Sequence, residues 1–227
     1  MTRPRIRLLG STLGAAAAVV AAAPAAAAPT LTTDRGCYTY HQPVQLSGSG
    51  YQPGAAQTVS LDGTPLPAGS NTFVPTAQGK IPPDTTLDAP APDAGKTSVR
   101  TYTVTTADSS SGTPVTARAK FAVVHTNVNV TPPFITPGRV RYTALGFTYG
   151  ANLYVHYLKG RKQRHVATRL VGPVHGACGR LRRRVRMFLF RPVRPATYTL
   201  VFDNNPTYAA AYRPNFSFQA IVTKPYF

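Results

Sequence analysis

The sequence predicts an all-β chain built from two tandem sandwiches. Three observations point there: one segment recurs at a constant offset, apolar and polar residues alternate over runs of strand length, and turn signals separate those runs while a 3.6-residue apolar period is absent.

The repeat fixes the organisation. Residues 44–63, "VQLSGSGYQPGAAQTVSLDG", lie on residues 140–160, "VRYTALGFTYGANLYVHYLKG". Val44 matches Val140, Gly50 matches Gly146, Tyr51 matches Phe147 and Gly54 matches Gly150. Ala55 with Ala151, Val59 with Val155 and Leu61 with Tyr157 continue the series, and every pair is 96 positions apart. The same offset carries "TYTV" at 101–104 onto "TYTL" at 197–200, so one unit occurs twice. A period near 96 suits the ~100 residues of an immunoglobulin-type sandwich. The expected fold is therefore two tandem immunoglobulin-like β-sandwich domains, residues 28–126 and 127–227, dividing near His125–Pro133.

The elements follow in chain order. Residues 1–27 read as a secretory leader: Arg3, Arg5 and Arg7 precede an Ala/Leu/Val run that ends in small residues, with cleavage expected after Ala27. Pro24 interrupts that run, which is short for a ~20-residue membrane span. The mature chain is thus expected to be secreted and to carry no transmembrane segment. "VQLSGSGYQPG" alternates and then turns at Pro-Gly; "QTVSLDG" alternates and turns at Asp-Gly. "SVRTYTVTTA", "VTARAKFAVV", "ATYTLVFD" and "FSFQAIVT" are β-branched and aromatic runs of strand length.

Charge separates the two halves. Residues 30–124 hold six basic and six acidic residues, whereas 125–227 hold sixteen basic residues and one acid, Asp203. The densest stretch is "CGRLRRRVRMFLFRPVRP", 178–195. Read as a strand, it puts Arg180, Arg182, Arg184 and Arg186 on one face, followed by Phe188 and Phe190. The other face holds Leu181, Val185, Met187 and Leu189, with Arg183 as its exception. One reading is a solvated face whose charge discourages edge-to-edge pairing. The other joins this stripe to Arg161, Lys162 and Arg164 of "KGRKQRH", a hairpin end, as a cationic patch for a polyanion. For an exported protein the polyanions are wall polymers, acidic glycans, lipid headgroups or extracellular DNA; the leader speaks against intracellular nucleic acid.

The motifs "GSGYQPG" and "LGFTYG" resemble the G-[FY]-x-P-G pattern of immunoglobulin-like modules in exported actinobacterial proteins, and more weakly that of neocarzinostatin-type apoproteins. The first copy carries the whole pattern; the second has Tyr149 where Pro stands. The resemblance implies fold and export. A small-ligand carrier with an apolar cavity between its sheets is the corresponding alternative function.

Cys37 and Cys178 are the only cysteines and are not repeat-equivalent, since Pro82 lies 96 positions before Cys178. With one cysteine per repeat, any intramolecular bond must cross between domains. A Cys37–Cys178 disulfide is expected, against free or intermolecular thiols. "VHGACGRLR" also resembles the S/T-H-G-C-x-R motif of L,D-transpeptidases, with His156 upstream as base. Ala177 is inserted before the cysteine, Val174 replaces the hydroxyl residue, and the repeat sets His156 on a strand equivalent to that of Ser60. A non-enzymatic binding or structural protein is the expectation. No cofactor is expected, and His156, His165, His175 and Cys178 lack the CxxC or HxxxH spacing of a zinc site.

Overall fold

The computed structural model describes residues 28–69, 71–92, 98–108, 115–131, 139–148 and 150–225, so the expected leader lies outside the described residues. Every regular element among them is a strand. The first nine are β1 (Thr32–Thr33), β2 (Cys37–Thr39), β3 (Pro43–Ser47), β4 (Gln57–Leu61), β5 (Thr64–Pro65), β6 (Thr72–Phe73), β7 (Thr86–Asp88), β8 (Val99–Asp108) and β9 (Thr116–Val124). The other seven are β10 (Asn127–Thr131), β11 (Arg139–Leu145), β12 (Asn152–Lys159), β13 (Arg164–Pro173), β14 (Leu181–Arg186), β15 (Ala196–Asp203) and β16 (Phe216–Val222).

They form two immunoglobulin-like sandwiches in tandem. In the first, the sheet β1-β3-β7 faces the sheet β2-β9-β8-β4-β5, where β6 also pairs with β4 and β2 runs parallel to β9. In the second, β10-β11-β14 faces β13-β12-β15-β16. Each has its own core. Tyr38, Val44, Leu46, Val104 and Phe121 are among the buried residues of the first; Val140, Tyr142, Leu153, Tyr157, Leu200 and Phe202 are among those of the second.

The repeat is a repeat of register as well as of sequence. Val59 faces Thr106 and Leu61 faces Val104 across β4 and β8. The positions 96 further on, Val155 with Phe202 and Tyr157 with Leu200, face each other across β12 and β15. Gly50 and Gly146 share a left-handed backbone, at φ 84° and 88°, and Tyr51 and Phe147 after them are both buried. Tyr51 bonds its hydroxyl to Thr106 Oγ1 at 3.0 Å. The second copy holds Phe147 and Phe202 at these two positions, so both polar partners are lost together and no buried hydroxyl is orphaned. The motif's last glycines serve different ends: Gly54 is left-handed, whereas a Cβ on Gly150 would lie 2.8 Å from that of Asn204. The Asp-Gly turn is a two-residue hairpin loop, with Asp62 and Gly63 both at positive φ between Leu61 and its partner Thr64.

A Cys37–Cys178 disulfide joins the sandwiches, with sulfurs 2.14 Å apart and a sequence separation of 141. Cys37 lies inside β2, where three residues suffice to pair with β9. Around the bond Val124 and Leu145 form a small apolar cluster with Cys37. Thr148 Oγ1 adds a polar contact to Gln42 Oε1 at 3.4 Å across the junction.

Candidate functional site

Along β11, Val140, Tyr142 and Ala144 enter the core, so Arg139, Arg141 and Thr143 point out. β14 pairs antiparallel with β11 and sets Arg186 opposite Arg139, Arg184 opposite Arg141 and Arg182 opposite Thr143. Five arginines therefore share one outer face, and two cross-strand pairs are arginine on arginine. Along each strand alternate residues are roughly 7 Å apart, and the strands themselves about 5 Å. No carboxylate among the described residues makes an ion pair with any of the five. Asp203, the one acid of this half, is fully buried on the opposite sheet, where its Oδ1 contacts His156 Nε2 at 3.0 Å and accepts from the Asn205 amide at 2.8 Å.

Several features of the arginine stretch differ from the sequence expectation. The strand covers only 181–186, and Arg180 lies outside it, bridged by backbone hydrogen bonds to His175. Alternation ends at Arg186: Met187 and Phe188 are both buried and Phe190 packs against the core, so the phenylalanines do not continue the arginine face. The cause is visible. Tyr142 and Tyr157 both donate their hydroxyls to the Met187 carbonyl, at 2.9 and 2.8 Å, and the Leu189 amide donates to Tyr157 Oη at 3.1 Å. Those bonds draw the chain inward after Arg186. Arg183, the exception on the apolar side, is exposed and donates from Nη1 to the Val171 carbonyl at 2.7 Å, closing the edge between the two sheets. Gly172 leaves the room, since a Cβ there would sit 2.7 Å from that nitrogen.

Arg161, Lys162 and Arg164 are exposed at the β12–β13 hairpin end, which belongs to the opposite sheet. The two clusters of the expected patch therefore lie on different sheets. Arg139 and Arg141 lie outside the expected patch; the alternation "RVRYTA" at 139–144 is the sequence signal for them.

At the end of the arginine face nearest the first sandwich, the surface dips into an open pocket of about 550 Å3. Asn127, Asn129, Thr143 and Arg182 of the sheet line it, with His175 and Arg180 of the adjoining turn and an apolar floor that includes Leu145. That turn is tightly held. His175 N donates to Arg180 O at 2.7 Å, Arg180 N to His175 O at 2.9 Å, and Gly179 N to Gly176 O at 3.0 Å. Cys178 sits within it, so the interdomain disulfide anchors one wall of the pocket.

The cysteine reading of the same turn loses its nucleophile, because Cys178 Sγ is bonded to Cys37. His156, its candidate base, has both ring nitrogens engaged, Nδ1 with Thr168 Oγ1 at 2.7 Å and Nε2 with Asp203. A cleft of about 420 Å3 opens between the sheets of the first sandwich, with Leu46, Val59, Phe73 and Leu87 inside and Thr72, Asp84 and Thr86 among its lining. Among the described residues no three His, Cys, Asp or Glu side chains gather to hold a metal, and no helix is long and apolar enough to cross a membrane.

Neither a protein-family model nor a curated protein matches the chain. Among solved structures, it is similar to a tetra-tandem repeat from the extending region of a large adhesion protein, at 18% identity and TM-score 0.30 over 86% of this chain and 48% of that one. The chain thus spans about half the length of that structure. The human OSCAR ligand-binding domain gives 14% identity and TM-score 0.32 over 86% and 97% of the two chains. Murine CEACAM1b gives 16% and 0.24 over 78% and 92%. At these scores the likeness carries nothing about what this chain binds.

Proposed function

We propose that the protein is an exported, non-enzymatic binding protein whose second sandwich holds an anionic polymer of the cell envelope or its surroundings on the face of β10, β11 and β14. The carrying observation is the set of five outward arginines, Arg139, Arg141, Arg182, Arg184 and Arg186, with no carboxylate partner among the described residues. Guanidinium groups on neighbouring strands can each donate two parallel hydrogen bonds to a phosphate or carboxylate. Like charges placed directly opposite on a sheet cost stability, which a bound polyanion would return. Charge-only protection of the edge strand β14 would not require Arg139 and Arg141 on the strand beside it. The first sandwich, without net charge, acts as a spacer or a module for another partner, and the disulfide fixes the angle at which it presents the basic face. Export accounts for both the disulfide and the leader-type N-terminus.

The test is salt-dependent retention on an anionic matrix, heparin or wall polymer. Exposed charges are screened over ~8 Å at physiological ionic strength. Retention should fall steeply with salt and fall again for the variant Arg139→Gln/Arg141→Gln/Arg184→Gln/Arg186→Gln. If that variant elutes at the wild-type salt concentration, the face is solvated charge and nothing more.

A further inference from the structure

The pocket at the end of the arginine face differs in chemistry from the face itself. Its lining combines two cations, Arg180 and Arg182, with three neutral hydrogen-bonding side chains, Asn127, Asn129 and Thr143, and the imidazole of His175. None of these six side chains makes a hydrogen bond to the protein among the described residues, so their donors and acceptors are open to a ligand. The rows of the sheet explain the convergence: Asn129 stands opposite Thr143, Thr143 opposite Arg182, and Asn127 opposite Leu145, all on the outer face. Arg180 comes in from the turn that holds Cys178.

We infer that this pocket takes one sugar unit bearing a negative charge, the segment of an acidic glycan at the point where the rest of the polymer runs onto the arginine face. This rests on the polyanion reading above. Amide and hydroxyl side chains can both donate to and accept from sugar hydroxyls, which a bare cationic surface cannot do. Leu145 and the methylene stems of the arginines offer apolar area to the C–H face of a ring. The two guanidiniums meet the carboxylate or other anionic substituent. A volume of about 550 Å3 falls within the range of small-ligand sites. A nucleic-acid strand fits less well. Its bases stack on aromatic rings, and the lining offers a single imidazole, His175, while Tyr142 and Phe147, the aromatics nearest in sequence, are buried in the core. The outline is also a dip within a sheet face, where a bilayer surface would call for a projecting apolar edge.

Two anionic ligands separate the pocket from the face: a galacturonate hexamer and an inorganic polyphosphate chain of similar charge. Both should bind the full-length, oxidised protein at physiological salt. Asn129→Leu/Thr143→Val leaves every charge in place but fills the pocket and removes its hydrogen-bonding groups. It should weaken the hexamer by about tenfold or more and polyphosphate by less than about twofold, because only the sugar needs those groups. The quadruple glutamine variant of the face should weaken both. Backbone and side-chain amide NMR signals of Asn127 and Asn129 in wild-type protein should shift on adding the hexamer, a readout that does not depend on a variant folding. Equal weakening of both ligands by the pocket pair, no weakening of either, failure of the wild type to bind the hexamer, or unmoved Asn127 and Asn129 signals would each overturn the sugar site. All four leave the polyanion face standing. Unchanged polyphosphate binding by the face variant overturns the face instead.

Discussion

Arg141 and Arg184 stand directly opposite one another on neighbouring strands, and Arg139 faces Arg186 two residues along. Both pairs lie on the outer side of a sheet whose inner side is built from Val140, Tyr142 and Ala144. Like charges set directly opposite one another oppose folding, and on the proposed reading an anionic partner relieves them.

Relieving one pair should therefore stabilise the protein. Arg184→Glu turns a like-charge pair into an opposite one, and cross-strand pairs are worth ~0.2–1 kcal/mol each. Thermal unfolding should shift upward by a few degrees at low salt, and anionic ligand binding should weaken. Added salt should raise the wild-type midpoint and bring the two curves together. A wild-type midpoint that does not move between low and physiological salt would show that the arginines do not repel measurably.

The disulfide makes a second prediction. It closes a loop with a sequence separation of 141, for which the chain-entropy model gives about 5 kcal/mol of stabilisation. Each sandwich nevertheless has its own core. Cys37→Ser/Cys178→Ser should thus leave both sandwiches folded by circular dichroism while lowering the denaturant midpoint. Among the described residues the junction keeps the contact of Val124 with Leu145 and the Thr148–Gln42 hydrogen bond, a small contact, so the angle should loosen and the radius of gyration rise in solution scattering. A scattering profile unchanged by the double substitution would show that packing alone sets the angle.

The fold was legible because it is written in periodicities. The offset of 96 between Val59 and Val155 is carried by strands whose partners also keep that offset, so sequence similarity and hydrogen-bond register coincide. The offset fails further on: Tyr102 faces Phe121 in the first copy, but Tyr198 faces Ala220 in the second, three residues beyond the equivalent position. A longer β15–β16 connection absorbs the difference. The candidate site was legible only in part. Alternation marked Arg182, Arg184 and Arg186, but which strand lies beside β14 is a tertiary fact, and with it came Arg139 and Arg141. Likewise nothing local says that two tyrosine hydroxyls from distant strands meet at the Met187 carbonyl and end the arginine strand there.

Gly179 offers a sharper local test. It is left-handed, at φ 56°, and a Cβ there would lie 2.0 Å from the Phe147 carbonyl oxygen, a backbone atom with no means of yielding. Gly179→Ala should displace the turn that carries both Cys178 and Arg180. Expected are a loss of stability on the order of 1–3 kcal/mol, slower formation of the disulfide on refolding, and weaker binding of the galacturonate hexamer. Gly176→Ala, left-handed in the same turn but with open space at its Cβ, should cost less. Equal effects would mean that backbone strain, and not the approach to Phe147, sets the requirement.

The buried tyrosines predict how the protein fails in alkali. Burial raises the hydroxyl pKa of Tyr142 and Tyr157 well above the ordinary tyrosine value. Burial, reinforced by its hydrogen bond to Asp34, pushes Tyr38 up to about 12. A folded-state pKa above the unfolded value of ~10 means that the native state keeps protons which the unfolded chain has already released. Their contribution to stability is complete below pH ~10 and is lost as pH rises through the folded values. Phenolate absorbance at 295 nm should thus lag behind that of the denatured chain and then rise cooperatively, together with loss of the near-ultraviolet circular dichroism. Tyr142→Phe removes one such proton while Tyr157 still donates to the Met187 carbonyl, so its cost at neutral pH should be about 1 kcal/mol. Its alkaline midpoint should move up relative to its neutral stability. A native titration curve that overlays the denatured one would show that these hydroxyls are open to solvent, and with them the anchor that ends the arginine strand.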